Sequence, residues 1–289
     1  MQRAVVFGNC QALALELMLN TNEHFSERFE LVSFPPVHEI PAAMVPELHA
    51  AVAGAAVLVA QRVDDGYRDN LGVGTETLAS IARQAIVVRW PSVFWAGYAP
   101  DLFYLRAADG QPVVDGPFDY HDRSILRAYA DGLDVAGACR LLEDPERPSD
   151  ARAWAQNATA ELDVRGQGCD VQVAEYISSR FQEELLFFTM NHPANRLLGC
   201  IAQQVTELIG IRGRVDPERT PGELLGSTFY PLHANHVRAL ELEPQLAARF
   251  AAGATPFKIR GETYEPAQAV QAFFDYYAAH PQLVELNLT

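Results

Sequence analysis

Apolar and polar positions switch between two periods over the first ninety residues. Arg3–Phe7 is a short β-branched and apolar run that predicts a buried strand. Gly8-Asn9-Cys10 then reads as a turn, and Gln11–Leu19 returns Leu13 and Leu17 at helical spacing. Leu31–Phe34 predicts a second strand, stopped by Pro35-Pro36, and Pro41–Val52 a helix. Ala56–Ala60 predicts a third strand and Ala85–Arg89 a fourth. Between these two lies a helix over Thr75–Arg83, with a Thr cap and Glu76 in its first turn. Strand–helix–strand at this spacing predicts an α/β fold, a parallel sheet with helices on its faces.

The pattern changes after Trp90. Pro91–Pro117 is rich in Pro, Gly and aromatic residues and reads as one long irregular segment, the kind that commonly carries function. Helices are predicted over Asp122–Ala130, Asp134–Glu143, Ser149–Asp163 and Val171–Glu183. Leu185–Thr189 has a strand pattern. Met190-Asn191-His192-Pro193 is a turn, and Ala194–Ile209 is a long amphipathic helix with Pro193 just inside its start. From Arg212 onward the chain reads as helical and loop-rich, including Tyr264–His280. No internal repeat or flexible linker stands out. The expectation is one domain over 1–289, with a core in 1–100 and 184–210, a helical insertion at 120–183 and a helical tail at 211–289.

Composition narrows the partners. The formal charge is −15, which argues against nucleic acid or an anionic membrane surface. Lys258 is the only lysine, so a cationic contact to a ligand phosphate falls to arginine. No CxxC pair or zinc-type Cys/His spacing joins the four cysteines, and no Gly-rich dinucleotide loop or Walker A motif occurs. The start MQRAVVFGNC enters a strand with no basic or leader-like stretch, and no apolar run is long enough to span a bilayer. These features predict a reduced, cytoplasmic protein without membrane insertion.

Two turns carry candidate chemistry. Cys10 falls after a parallel strand and at the start of a helix, where amide N–H groups and the helix dipole favour a thiolate. Gly8 permits the turn. The Cys10 and Gln11 amides and the Asn9 side chain are candidate oxyanion donors. The competing reading is a small buried hydrophobe. His192, with Asn191 beside it, occupies an equivalent position after Leu185–Thr189. A Cys–His pair has the chemistry of an activated nucleophile, while a structural histidine is the alternative. Glu183, Glu184 and Asp122 are weak candidates for an orienting carboxylate. Tyr120-His121-Asp122 is a second candidate site, with His121 as a ligand contact or a helix cap. The aromatic group Trp90, Phe94, Trp95, Tyr98, Phe103 and Tyr104 reads either as a wall for an adenine or sugar ring or as a seal on the sheet edge. Arg62, Arg89 and Arg196 are the phosphate candidates. His233 and His236 bracket Ala234-Asn235 as a loose pair with no third ligand nearby in sequence, so no metal is expected.

Val6-Phe7-Gly8-Asn9-Cys10-Gln11-Ala12 and Phe188-Thr189-Met190-Asn191-His192-Pro193-Ala194-Asn195 together resemble the WcbI family of capsular polysaccharide biosynthesis acetyltransferases. Gln61, Trp90-Pro91-Ser92, Gly97-Tyr98, Pro100 and Tyr120-His121 fall in the same order between them, and the likeness covers roughly 3–210. The resemblance implies an acetyl-CoA-dependent O-acetyltransferase acting on a glycan or activated sugar, with Cys10 and His192 as the catalytic pair. Gly8, Asn9, Gln11 and Asn191 would position the reacting groups. Gln61, Arg62, Arg89, Trp90, Pro91, Ser92, Tyr98, Tyr120, His121, Asn195 and Arg196 would contact the cofactor. Coenzyme A would be a co-substrate rather than a resident cofactor, and a homo-oligomer is compatible with the sequence. The layout also resembles SGNH-type hydrolases and the flavodoxin-like sheet, with cysteine in place of the hydrolase serine and no Asp-x-x-His before the histidine. An esterase or thioesterase using the same pair, and a non-catalytic glycan-binding module, are the alternatives.

Overall fold

A computed structural model describes residues 1–113, 118–253 and 255–288. Of the irregular segment predicted at 91–117, residues 114–117 lie outside the described ones. The remainder holds the two-residue strand Leu102–Phe103, which pairs with His121–Asp122, and an isolated antiparallel bridge between Arg106 and Pro112.

The four strands predicted in the first ninety residues form, but the second runs Phe29–Leu31 and shares only Leu31 with the predicted Leu31–Phe34, and a helix forms at Glu23–Arg28, where none is predicted. Strand β1 (Gln2–Phe7) leads into helix α1 (Cys10–Leu19). Helix α2 (Glu23–Arg28) leads into β2 (Phe29–Leu31), and α3 (Val45–Ala53) into β3 (Val57–Gln61). Helix α4 (Thr75–Ile81) then precedes β4 (Ile86–Trp90). All four strands are parallel, in the order β2-β1-β3-β4. β3 is buried along its whole length, which is why Val57–Ala60 reads as continuously apolar rather than alternating. Val5, Leu58, Leu48, Val52 and Leu78 pack one face of the sheet.

Two expectations change in detail. Thr75 is the first residue of α4, not its cap: its hydroxyl donates to the Gln61 carbonyl at 2.6 Å and accepts from the Val63 amide at 2.8 Å, which fastens the end of β3. The strand at Phe187–Thr189 is not a member of the four-stranded sheet.

The chain forms two compact units from interleaved segments. The first holds 1–94, 159–179 and 192–225, and the second 95–158, 180–191 and 226–289. This division does not follow the boundaries read from the sequence. Within the first unit, Asp170 N and Val171 N donate to the Arg89 carbonyl at 2.8 and 3.1 Å, so 159–179 is fastened to the end of β4. The second unit is built on the helices Arg123–Ala130, Val135–Glu143 and Pro266–Ala279. Its tail also contains a hairpin, Phe257–Ile259 with Glu262–Tyr264, where helix and loop are predicted. Arg260 and Gly261 form its two-residue turn, at φ 52° and 90°. No helix among the described residues is long and apolar enough to cross a membrane.

Candidate active site

β1 sends its next helix and strand to one side of the sheet (β2), while β3 lies on the other. The crevice beyond the carboxyl ends of β1 and β3 is therefore the place where the strand order reverses, and open α/β sheets bind ligands there. Cys10 is the first residue of α1, directly above this point, and is half-buried.

The turn that carries Cys10 is held by amides. Gln61, at the end of β3, accepts from the Asn9 amide through Oε1 at 2.8 Å and donates to Gln11 Oε1 at 3.1 Å. Gln11 Nε2 donates to the Val93 carbonyl at 2.6 Å, and its Oε1 accepts from the Val93 amide at 3.2 Å. Asn9 caps α1, its Oδ1 accepting from the Gln11 amide at 3.0 Å, and its Nδ2 lies 3.5 Å from Ser92 Oγ. The neighbours of Cys10 in sequence are thereby locked to the ends of β3 and β4. Gly8 is required by this arrangement: a Cβ there would lie 2.6 Å from Gln61 Cβ. The Gln11 amide, one of the expected oxyanion donors, is taken by Asn9, and the Asn9 amide by Gln61. The Cys10 and Gln11 amides are the backbone donors that act on the sulfur, the latter shared with Asn9 Oδ1, while Asn9 Nδ2 is turned to Ser92.

The thiol departs from the sequence expectation. The Cys10 and Gln11 amides pull its pKa down, but burial outweighs them and Glu39 adds to the rise, so the thiol is pushed up. Resting Cys10 is a thiol at neutral pH, and its ionisation calls for a base.

His192 opens the short strand His192–Pro193 and is half-buried. Ala194 caps the following helix, Asn195–Leu208, which packs beside α1. Just past the far ends of the two helices, Asn22 Nδ2 donates to the Arg212 carbonyl at 3.2 Å and Thr21 Oγ1 accepts from the Asp216 amide at 3.0 Å. The helices therefore run in the same direction, and their first turns lie at the same end of the pair. Asn195 is buried and works as a clamp. Its amide donates to Glu223 at 2.8 Å, and its side chain holds Thr220, the Gly222 carbonyl and the Leu224 amide.

The other sequence candidates divide sharply. Trp90 is fully buried, so it seals the sheet instead of presenting a wall to a ligand; Pro91 is buried and Ser92 half-buried. Arg89 is engaged by Glu76 at 2.9 and 3.0 Å, and Arg62 by the Arg165 and Gln167 carbonyls. Arg196 is exposed. In the second unit, Tyr98 is buried and its hydroxyl lies between the Phe181 and Glu184 carbonyls. Tyr120 donates to Asn191 Oδ1 at 2.7 Å, and Asn191 Nδ2 donates to Tyr104 at 3.2 Å. His121 is sealed among Phe103, Phe118, Phe273 and Tyr277, with 1 % exposure, and burial lowers its pKa to about 4. It is a core residue, and the helix it was expected to cap is capped by Asp122. Of the weak carboxylate candidates, Asp122 is thus taken by its cap and by His233, and Glu183 is exposed.

Sequence reasoning does not find Glu39 or Asp101, and reads Thr75 only as a helix cap. Nothing in local spacing marks them; each matters through a contact made by the fold.

The sheet order and the cysteine at its reversal point define a flavodoxin-order α/β protein with a thiol above the switch point. Residues 3–214 match the family described as polysaccharide biosynthesis enzyme WcbI, and the chain belongs to that family of polysaccharide biosynthesis enzymes. A solved structure of WcbI, described as native protein without a disulfide bond between coenzyme A and one of its cysteines, shares the fold. It is 21% identical, covers 99% of this chain and 98% of that one, and has a TM-score of 0.73. Among curated proteins there is no match.

Proposed function

We infer that the protein is an acetyl-CoA-dependent O-acetyltransferase that acylates a sugar hydroxyl of a polysaccharide or its precursor, with Cys10 as nucleophile and His192 as base. The observation that carries this reading is the rigid turn that holds a protonated thiol above the switch point of the sheet. A thiol whose pKa is raised by burial is inert until a base removes its proton. His192 is the imidazole in the segment leading into the helix that runs parallel to α1. The solved WcbI structure is of native protein without a disulfide bond between coenzyme A and a cysteine, and that the two sulfurs can be so linked supports a crevice where the cofactor's sulfur meets an enzyme sulfur.

In this mechanism His192 takes the Cys10 proton and the thiolate adds to the acetyl carbonyl carbon. The Cys10 and Gln11 amides beside the sulfur would face the developing oxyanion. The C–S bond to coenzyme A breaks, and its thiolate leaves with the proton from His192. One thioester replaces another, so the step is nearly balanced. His192 then takes the proton of the sugar hydroxyl, whose oxygen attacks the acetyl-cysteine and releases the Cys10 thiol. Arg89 and Arg62 are already engaged, so a ligand phosphate would compete with Glu76 or with two carbonyls for them.

The test is intact-mass analysis after mixing with acetyl-CoA in the absence of acceptor. A 42-Da adduct (one acetyl group) on Cys10, lost on adding a glycan acceptor and absent in Cys10→Ala, is the expected result. No adduct together with full transfer by Cys10→Ala would remove the nucleophile. Release of free acetate at the same rate with or without acceptor would favour the hydrolase.

A further inference from the structure

His233 and His236 acquire in the fold the third ligand that the sequence lacks around them. Asp101, from the other end of the second unit's sequence, places Oδ2 3.2 Å from His233 Nδ1 and 3.2 Å from His236 Nε2. The three ligand atoms lie within 4.8 Å of one another. The two imidazoles stack with centroids 4.9 Å apart and planes 18° from parallel. They share a cavity with Tyr98, Asp101, Leu102 and Tyr230, with room for a single water or ion centre, about 10 Å³.

The outer nitrogens of both rings are already committed. His233 Nε2 lies 2.8 Å from Asp122 Oδ2, a normal length for a charge-assisted hydrogen bond, and His236 Nδ1 lies 2.8 Å from Ser149 Oγ. With those nitrogens donating outward, Nδ1 of His233 and Nε2 of His236 would turn lone pairs inward to an ion; here His236 Nε2 is hydrogen-bonded to Asp101 Oδ2. Asp101 Oδ2 also accepts from Ser124 Oγ at 2.8 Å. The two inner contacts of 3.2 Å are longer than the outer ones. They match the distance of about 3.3 Å between ligand atoms arranged tetrahedrally around an ion at about 2.0 Å. An imidazole held from behind by a carboxylate is the usual support for a metal-bound histidine.

The geometry points to Asp101, His233 and His236 as the protein ligands of a divalent transition-metal site, zinc by its donor set, with one further position open. Arg147 is its competitor. Its Nη2 lies 3.2 Å from His233 Nδ1, 3.4 Å from Asn235 Oδ1 and 3.7 Å from Asp101 Oδ2. Metal entry takes the His233 lone pair from Arg147, which keeps Asn235. The ion ties residue 101 to the start of the helix Ala234–Leu240 within the second unit.

Cobalt(II) titration of the full chain, stripped with chelator, tests the site. Expected is one equivalent bound, with visible d–d bands, no thiolate-to-cobalt charge transfer, and bleaching by zinc(II). His236→Gln abolishes the bands, and Asp122→Asn weakens binding about 10–100-fold. Arg147→Ala binds at least as tightly as the parent, the opposite of what loss of a merely structural contact would do. Absence of bound cobalt, bands with thiolate character, or undiminished binding in His236→Gln would overturn the site. Should His236→Gln fail to fold, Asp122→Asn decides: unchanged affinity there would equally overturn it.

Discussion

The turn at Gly8–Gln11 and the cluster at Asp101, His233 and His236 both gather polar side chains at the first turn of a helix, but with opposite electrostatics. The turn is built from neutral groups: two glutamines, an asparagine and a serine, each amide answered by another amide, by backbone or by the serine hydroxyl. The cluster is built from charges, two carboxylates and an arginine around two imidazoles. A neutral frame fixes geometry without committing the local field, so a charge that appears only during reaction meets oriented dipoles instead of a resident counter-ion. A charged frame has its field balanced in advance, and it holds a permanent cation better than a transient anion. On the two proposals above, the same helix-terminus position would serve catalysis in one unit and ion capture in the other.

Four measurements break or sharpen this contrast. The largest effect belongs to the sulfur. Cys10→Ala should lower acetyl transfer by about 10³-fold or more. Its melting temperature should barely move, because the amide frame does not depend on the thiol. A fall in both together would make Cys10 a packing residue.

The second effect separates catalysis from core electrostatics. His121 is held neutral by burial, with a folded pKa near 4 against an ordinary 6.5. A depressed histidine contributes stability above its unfolded pKa, and that stability is lost as pH falls from 6.5 towards 4. The loss amounts to about 3 kcal/mol over that window. Urea unfolding at pH 7 and pH 4.5 should show it, and His121→Phe should flatten it. An acid limb of the same size in that variant would place the titration elsewhere.

Third, Gly8→Ala drives a Cβ into Gln61, and overpacking of this kind costs about 1–3 kcal/mol. Because the strain falls on the residue that holds the Asn9 amide, kcat should fall further than the stability loss alone explains. Unchanged kcat in the folded variant would mean that the frame does not position the sulfur.

The smallest effect is a shift in reactivity. Glu39 raises the Cys10 pKa, so Glu39→Gln should move the pH midpoint of iodoacetamide labelling downward, with the melting temperature unchanged. A midpoint that does not move would show that burial alone sets the thiol.

Much of the first unit was legible because its elements are local. β1, α1, β3 and β4 appear within a residue or two of the predicted runs, since a buried parallel strand is written as an unbroken apolar stretch. Gln61 was visible as a candidate but not as the hub of the turn, because its partners Asn9 and Gln11 lie 52 and 50 residues away at the start of α1. The hairpin at Phe257–Tyr264 was missed although Phe257-Lys258-Ile259 alternates and Arg260-Gly261 can turn; the helical pattern that follows from Pro266 masked it. Trp90 and His121 look like ligand contacts in sequence because an aromatic or a histidine carries the same letter whether it faces a crevice or a core.

The amino-acid order by itself determined the strand–turn–helix at Cys10, the alternation that makes a parallel sheet, and the separate turn at Met190–Asn191 just before His192. These follow from backbone preference and side-chain periodicity within a dozen residues. The tertiary structure alone decided that β1 lies at the reversal point of the sheet and that burial raises the thiol. It also decided that Asp101 meets a histidine 135 residues away. Such outcomes depend on which surfaces are brought together and how much water is removed between them. Neither quantity is carried by any short stretch of chain.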